Sequence, residues 1–249
     1  MRNQIVVLGT VSWLMFAGMV HAAEIKVLST QATEEAYREL VPQFEKASGH
    51  KVTTIFTGTL DANRRLAAGE TYDLLIMSAP SIDEQIKAGR VVPGSRVDLA
   101  KSGVGVGVKA GAPKPDFSSA EALKKTLIAA KTVGYSQGPS GVYLLTLFEK
   151  MGIADQVKAK AKVVTPGVPV ATVIRSGEAE IGFQQISELI HEKGIDYLGP
   201  LPADIQRITT FSGGIHTAAK EQAAAKALQS FLTSPDRVQD LKKHGLQPG

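Results

Sequence analysis

The chain has 249 residues, with 28 lysines and arginines against 24 aspartates and glutamates, and no cysteine. Without cysteine there is no disulfide frame, thiolate metal site or cysteine nucleophile, so stability must come from packing. The formal charge of +4 mildly favours anionic partners, but the charges are interspersed, with no basic run or aromatic interleaving, which argues against nucleic acid.

Arg2, an apolar run from Ile5 to Val20, and the small residues Ala22 and Ala23 read as a signal peptide over residues 1–23, which predicts a periplasmic protein. From Glu24, short apolar runs alternate with longer periodic ones: a strand IKVLS, a helix over 33–47, a strand KVTTIF, a helix over 59–68, a strand YDLLIMS and a helix over 81–88. This order predicts an α/β fold with a mainly parallel sheet. Gly49, Gly69 and Gly89 stand where the helices should stop.

The stretch SGVGVGV over 102–108 reads as a crossover strand into a second lobe. There the pattern repeats with helices near 119–130, 140–151, 170–176 and 187–193, and strands TVGYS, AKVV, EIGF and DYLGP. RITTFSGGIHT reads as a long return strand with a Gly-Gly break, before helices over 221–232 and 235–243. The expected lobes are 24–103 with 212–249, and 104–211, joined by two glycine-bearing strands that can bend as hinges around a cleft.

In parallel α/β sheets ligands lie beyond the carboxyl ends of the strands, where helix N-termini present unpaired N–H groups. The turns there carry Thr30, Gln31, Gly58, Thr59, Ser78, Ser140, Gly141, Val168 and Gln184. Hydroxyls, amides and glycines donate hydrogen bonds to an anion without adding a competing negative charge. Ordinary helix capping asks for the same residue types, so it is the convergence of several such turns that argues for a site. Arg64, in the helix that starts at Thr59, is a candidate guanidinium for a carboxylate, and Asp61 beside it complements the helix dipole. The histidines lack metal-ligand spacing, and neither a nucleophile elbow nor a phosphate-binding loop is present. The expectation is a monomer that closes on a small anion and uses neither metal nor cofactor.

The segments IKVLSTQAT, IFTGTLDANRRLAAGETYDLLIMSAP, GPSGVYLLTLFEKMGI, VIRSGEAEIGFQ and FLTSPDRVQDLKKHGL resemble the periplasmic molybdate-binding proteins of ABC importers. The resemblance spans essentially the whole chain after residue 23. It implies a type-II periplasmic binding protein fold, an oxyanion held in the cleft by hydroxyls and backbone N–H groups, and delivery to an ABC permease. Four positions depart from that family's pattern: Ala32 stands for a serine, Thr57-Gly58-Thr59 for Gly-Ser-Ser, Pro166 for a backbone N–H donor and Gln184 for a tyrosine. These changes point to a larger, more polyvalent anion. A divergent branch of the same resemblance, the aconitate isomerases, implies a cofactor-free enzyme that moves a proton along an allylic carbon chain. Such chemistry needs a base, and the turns named above offer none. The leading expectation is therefore a periplasmic substrate-binding protein of an ABC importer, with aconitate isomerase as the alternative.

Overall fold

The computed structural model describes residues 22–249, so the signal-peptide reading falls almost wholly outside the described residues. In β1 (Glu24–Thr30) Ile25 and Val27 are buried while Glu24 and Lys26 face outward. β1 pairs in parallel with β2 (Lys51–Thr57) and β3 (Leu74–Ser78), across α1 (Glu34–Ser48) and α2 (Thr59–Ala67). The run LLIMS of β3 is buried throughout because the strand is central, flanked by β1 and by the antiparallel β10 (Thr209–Ile215). With β4 (Val97–Ser102) and β11 (Gln247–Pro248), the first sheet has the order β11-β4-β10-β3-β1-β2. Around it pack α3 (Ala79–Lys87), α9 (Gln222–Leu232) and α10 (Val238–Lys243).

The second sheet contains β5 (Val104–Lys109), β6 (Val133–Tyr135), β7 (Ala161–Val163), β8 (Ile181–Gln185) and β9 (Ile195–Pro200), in the order β7-β6-β8-β5-β9. Its helices are α4 (Ala120–Ala129), α5 (Pro139–Lys150), α6 (Ala154–Lys158), α7 (Val170–Ser176) and the single turn α8 (Ile186–Leu189). Each sheet has its own apolar core, one built around Ile25, Leu40, Leu74 and Leu228 and the other around Val106, Leu123, Leu144 and Phe183. The fold is therefore two-lobed α/β with mixed sheets. The helix read over 187–193 shortens to one turn, and the chain turns away at Gly194 with φ +79°.

The hinges differ from the sequence reading. The expected crossover strand is two strands, β4 and β5, one in each sheet, separated by Gly103. Gln206 clamps this point: its Oε1 accepts from Val104 N–H at 2.8 Å and its Nε2 donates to the Val104 carbonyl at 3.0 Å. A Cβ on Gly103 would come within 3.0 Å of that amide. The return strand does not cross at all. β10 lies wholly in the first sheet, and residues 201–208 make the crossing. A Cβ on Gly213 would stand 2.9 Å from the Gln229 amide, and one on Gly214 would stand 2.8 Å from Val91. The Gly-Gly pair thus permits close packing inside the first lobe and is not a hinge.

Contacts tie the lobes together on several sides. Gln31 donates from Nε2 to the Gly167 carbonyl at 2.9 Å. The Gln185 amide, oriented to satisfy both its ends, donates to the Gly103 and Ser102 carbonyls at 3.2 and 3.1 Å and accepts from the Thr209 hydroxyl at 3.0 Å. A third tie runs from Glu39 Oε2 to His244 Nε2 at 2.6 Å, and from His244 Nδ1 to His191 Nε2 at 3.0 Å, with Lys243 on the same carboxylate at 2.7 Å. Glu39 and His244 belong to the first lobe and His191 to the second, so this chain is a clasp. Its loss should free the lobes to open without unfolding either core. His244→Phe is expected to increase the radius of gyration of the unliganded protein in solution scattering while leaving its circular dichroism unchanged; an unaltered scattering curve would mean that the clasp does not hold the lobes.

Candidate functional site

The carboxyl ends of the strands of both lobes converge on one cleft of about 480 Å³, counting its mouth. Thr30, Gln31, Gly58, Thr59, Ser140, Val168 and Gln184 line it, as do Ser136, Thr165, Pro166, Phe211 and Glu188. Two helices of ordinary length start at its wall. α2 has Gly58 as its N-cap and α5 has Gly138, and neither is closed by a side-chain cap. The leading N–H groups of a helix have no partner within it, and the helix dipole adds positive potential there. Thr59 and Ser140 therefore stand inside the first turns as extra hydroxyls beside these N–H groups and do not act as the caps. Thr30 differs, since its Oγ1 accepts from Ala32 N–H at 3.4 Å and so caps the short turn Gln31–Thr33 ahead of α1.

Three of the residues singled out from the sequence lie elsewhere. Arg64 is mostly exposed and bonds the Asp61 carboxylate, which also takes Arg65 Nε at 2.7 Å and the Thr57 hydroxyl at 2.9 Å. These three donors hold the Asp61 carboxyl well below the usual carboxylate range. Asp61 thus draws both arginines onto α2's own flank, so Arg64 is not available to the cleft. Ser78 is buried beneath the sheet edge and donates to the Ser81 hydroxyl at 2.9 Å. Gly141 is needed for space: a Cβ there would lie 1.6 Å from the Ser136 carbonyl oxygen, because the turn before α5 folds back onto the helix. His216 is buried within the first lobe and is bridged to Val91, away from the cleft.

Gln184 faces the cleft but is already engaged. Its Oε1 accepts from Val170 N–H at 2.8 Å and its Nε2 donates to Glu188 Oε1 at 2.8 Å. It is therefore a bridge from the start of α7 to a carboxyl group. That carboxyl is absent from the expected site, although Glu188 stands five residues after the strand EIGF as Asp61 stands five after KVTTIF. Glu188 keeps some exposure because it opens onto the cleft, yet protein surrounds its carboxyl. Desolvation pushes it up to about 8, with the charges of Glu34 and Glu192 adding to the rise and the hydrogen bonds from Gln184 and the Gln185 backbone opposing it. Among the described residues lining the cleft there is no lysine or arginine. No group of three histidine, aspartate or glutamate side chains among the described residues could hold a metal ion.

A carboxyl whose pKa rises on folding favours the folded state while protonated. That contribution is complete below its unfolded value of about 4.3 and is lost as pH climbs through its folded value. Between about pH 5 and about pH 8 the unfolding free energy of the parent protein should fall by a few kcal/mol relative to that of Glu188→Gln, since the rise with pH that buried His216 contributes is common to both. Denaturant midpoints across that range measure the difference, and parallel curves would contradict the raised pKa. Asp61, Glu39 and Asp98 have lowered pKa values, and their linked loss of stability falls on the acid side, outside this window.

Comparison with known proteins places this architecture. An aconitate isomerase from Pseudomonas sp is 37% identical over 230 residues, which cover 90% of this chain and 87% of that one. The molybdate-binding protein ModA of Azotobacter vinelandii is 26% identical over 241 residues, or 93% of this chain and 92% of that one. The solved Azotobacter vinelandii periplasmic molybdate-binding protein superposes with a TM-score of 0.75 at 20% identity, covering 90% of this chain and 99% of that chain. The sulfate-binding protein SubI of Mycobacterium tuberculosis superposes with a TM-score of 0.73 at 18% identity, covering 91% of this chain and 87% of that chain. The family described as bacterial extracellular solute-binding protein matches residues 25–247, and the chain belongs to that family.

Proposed function

We propose that this protein works outside the cytoplasmic membrane, closes on a small polycarboxylate and interconverts cis- and trans-aconitate by proton transfer without a cofactor. The observation that carries the reading is Glu188, a carboxyl with a pKa near 8 that opens onto a cleft otherwise furnished with hydrogen-bond donors. A general base works best when its pKa lies near the operating pH, and burial is the usual means of raising a carboxylate to that range. The likeness to an aconitate isomerase supports the same substrate class.

In this mechanism the leading N–H groups of α2 and α5, with the Thr59 and Ser140 hydroxyls, hold two carboxylates of the substrate. Ionised Glu188 takes a proton from the substrate methylene: a C–H bond breaks and an O–H bond forms. The electron pair spreads over the allylic carbons and onto the adjoining carboxylates, where preorganised donors stabilise it. Delivery of a proton from Glu188 to the far allylic carbon shifts the double bond onto the former methylene bond, and the conformation in which the cleft holds that bond decides which geometric isomer forms. Atoms and charge balance with no redox change.

A second reading has its own support. Uncapped helix starts in a cleft without a cation suit a simple oxyanion, and fold relatives include molybdate- and sulfate-binding proteins. Under that reading Glu188 stays protonated and donates a hydrogen bond to the anion, and the closed protein meets an ABC permease.

Incubation with cis-aconitate in deuterated buffer, followed by proton NMR, separates the two. The expected result is trans-aconitate carrying deuterium. Glu188→Gln should lower kcat by 10³-fold or more with KM changed by only a few-fold, in keeping with a general base at the usual upper range of such effects. Thr59→Ala and Ser140→Ala should each raise KM. A parent protein that leaves cis-aconitate unchanged, but whose melting temperature rises with molybdate or sulfate, would replace this reading with the transport one.

A further inference from the structure

Glu188 borders two spaces. On one side it lines the cleft, and on the other it lines a separate groove between the lobes, of about 870 Å³ counting its open mouth. Glu34 from the first lobe and Arg175, His191 and Glu192 from the second also line that groove. The partition between the two spaces is Gln31, which lines both and is pinned across the lobes by its bond to the Gly167 carbonyl. A molecule enclosed in the cleft therefore covers Glu188 from one side only, and the same residue still borders the groove on the other. The charged groups that face Glu188 from the packed elements are Glu34 on α1 and Glu192 beyond α8, and each is itself paired, with Arg38 and Arg175 respectively.

We propose that this groove is the proton portal of the site: the proton carried by Glu188 equilibrates with water on the groove side while the lobes remain closed on a ligand. The inference rests on Glu188 as the proton carrier of the cleft. The step is a simple exchange, in which the Glu188 O–H gives its proton to groove water and takes one back, with no net change. Its consequence is that groove water exchanges the hydrogen held on Glu188 before it is delivered, so that solvent hydrogen enters the substrate.

The test uses the full-length mature protein and the double variant Glu35→Trp/Lys193→Trp, which narrows the groove at two exposed lining residues and touches neither the cleft nor the charges that act on Glu188. Two readouts are followed. The first is the fraction of substrate-derived protium retained in trans-aconitate during the first turnovers in deuterated buffer. It should be small in the parent and rise at least threefold in the double variant, while KM changes little. The second needs no turnover. The infrared band of the protonated Glu188 carboxyl, assigned by its loss in Glu188→Gln, is followed after a pH jump with propane-1,2,3-tricarboxylate bound. It should respond promptly in the parent and at least tenfold more slowly in the double variant. Equal protium retention and equal response rates in the two proteins would overturn the portal even if isomerisation is intact. A parent that shows no turnover, but whose Glu188 band still responds under ligand and slows in the double variant, would keep the portal and remove the isomerase reading.

Discussion

The hydrogen bond from Gln184 to Glu188 depends on packing that lies beneath it. β6 and β8 pair with Gly134 opposite Gly182. A Cβ on Gly182 would stand 2.5 Å from the Ile174 side chain, and one on Gly134 would stand 2.9 Å from Ala179. The two glycines let α7 settle directly on the sheet. That approach brings Val170 N–H within 2.8 Å of Gln184 Oε1, which fixes the amide the right way round and turns its N–H toward Glu188. A wider strand pair would lift α7, release the amide and leave the buried carboxyl without its donor, at the cost that an unsatisfied buried polar group carries. The chemistry of the cleft thus begins with two missing side chains on neighbouring strands.

Closure has a similar local logic. Where the second lobe meets α2, a Cβ on Gly58 would lie 3.3 Å from Pro166. Proline has no N–H to offer a ligand, and here it serves instead as a rigid apolar stop against the glycine that caps α2. Gln31 spends its amide on Gly167, so two of the turns that look ligand-directed are used to bring the lobes together. The donors left for an anion include the backbone N–H groups of α2 and α5 and the Thr59, Ser136, Ser140 and Thr165 hydroxyls.

Much of this was legible before any coordinates. Alternation of short apolar runs with helical periods gave nearly every strand and helix, and the rule that ligands sit beyond strand ends gathered seven of the cleft residues into one set. What stayed hidden depends on distances between elements far apart in sequence. Gly213 and Gly214 read as a bend because a strand pattern cannot reveal that Gln229 and Val91 press on them. Gly141 read as an anion contact because nothing local announces the Ser136 carbonyl above it. Gln184 read as a ligand donor because neither of its two partners can be inferred from the strand alone. Glu188 escaped for a different reason. The offset was visible, but a carboxylate among anion-binding turns looks unfavourable until burial and the Gln184 bond are known.

The lack of a lysine or arginine among the described lining residues suits the same carboxyl. A guanidinium among the lining residues would grip a polycarboxylate well, and Arg64 and Arg65 stand on the helix that could have supplied one. It would also have stood beside Glu188. A positive charge within a few ångströms lowers a carboxyl by about 1–3 pKa units, enough to return Glu188 to a weak base locked in its ionised form. In this structure both arginines bond Asp61 instead, and neither lines the cleft. Helix starts and hydroxyls supply partial charges in place of a full one, and they act at the turns where they are anchored. In the proposed reaction the cleft then attracts an anion while Glu188 remains basic enough to take up a proton and acidic enough to give it back.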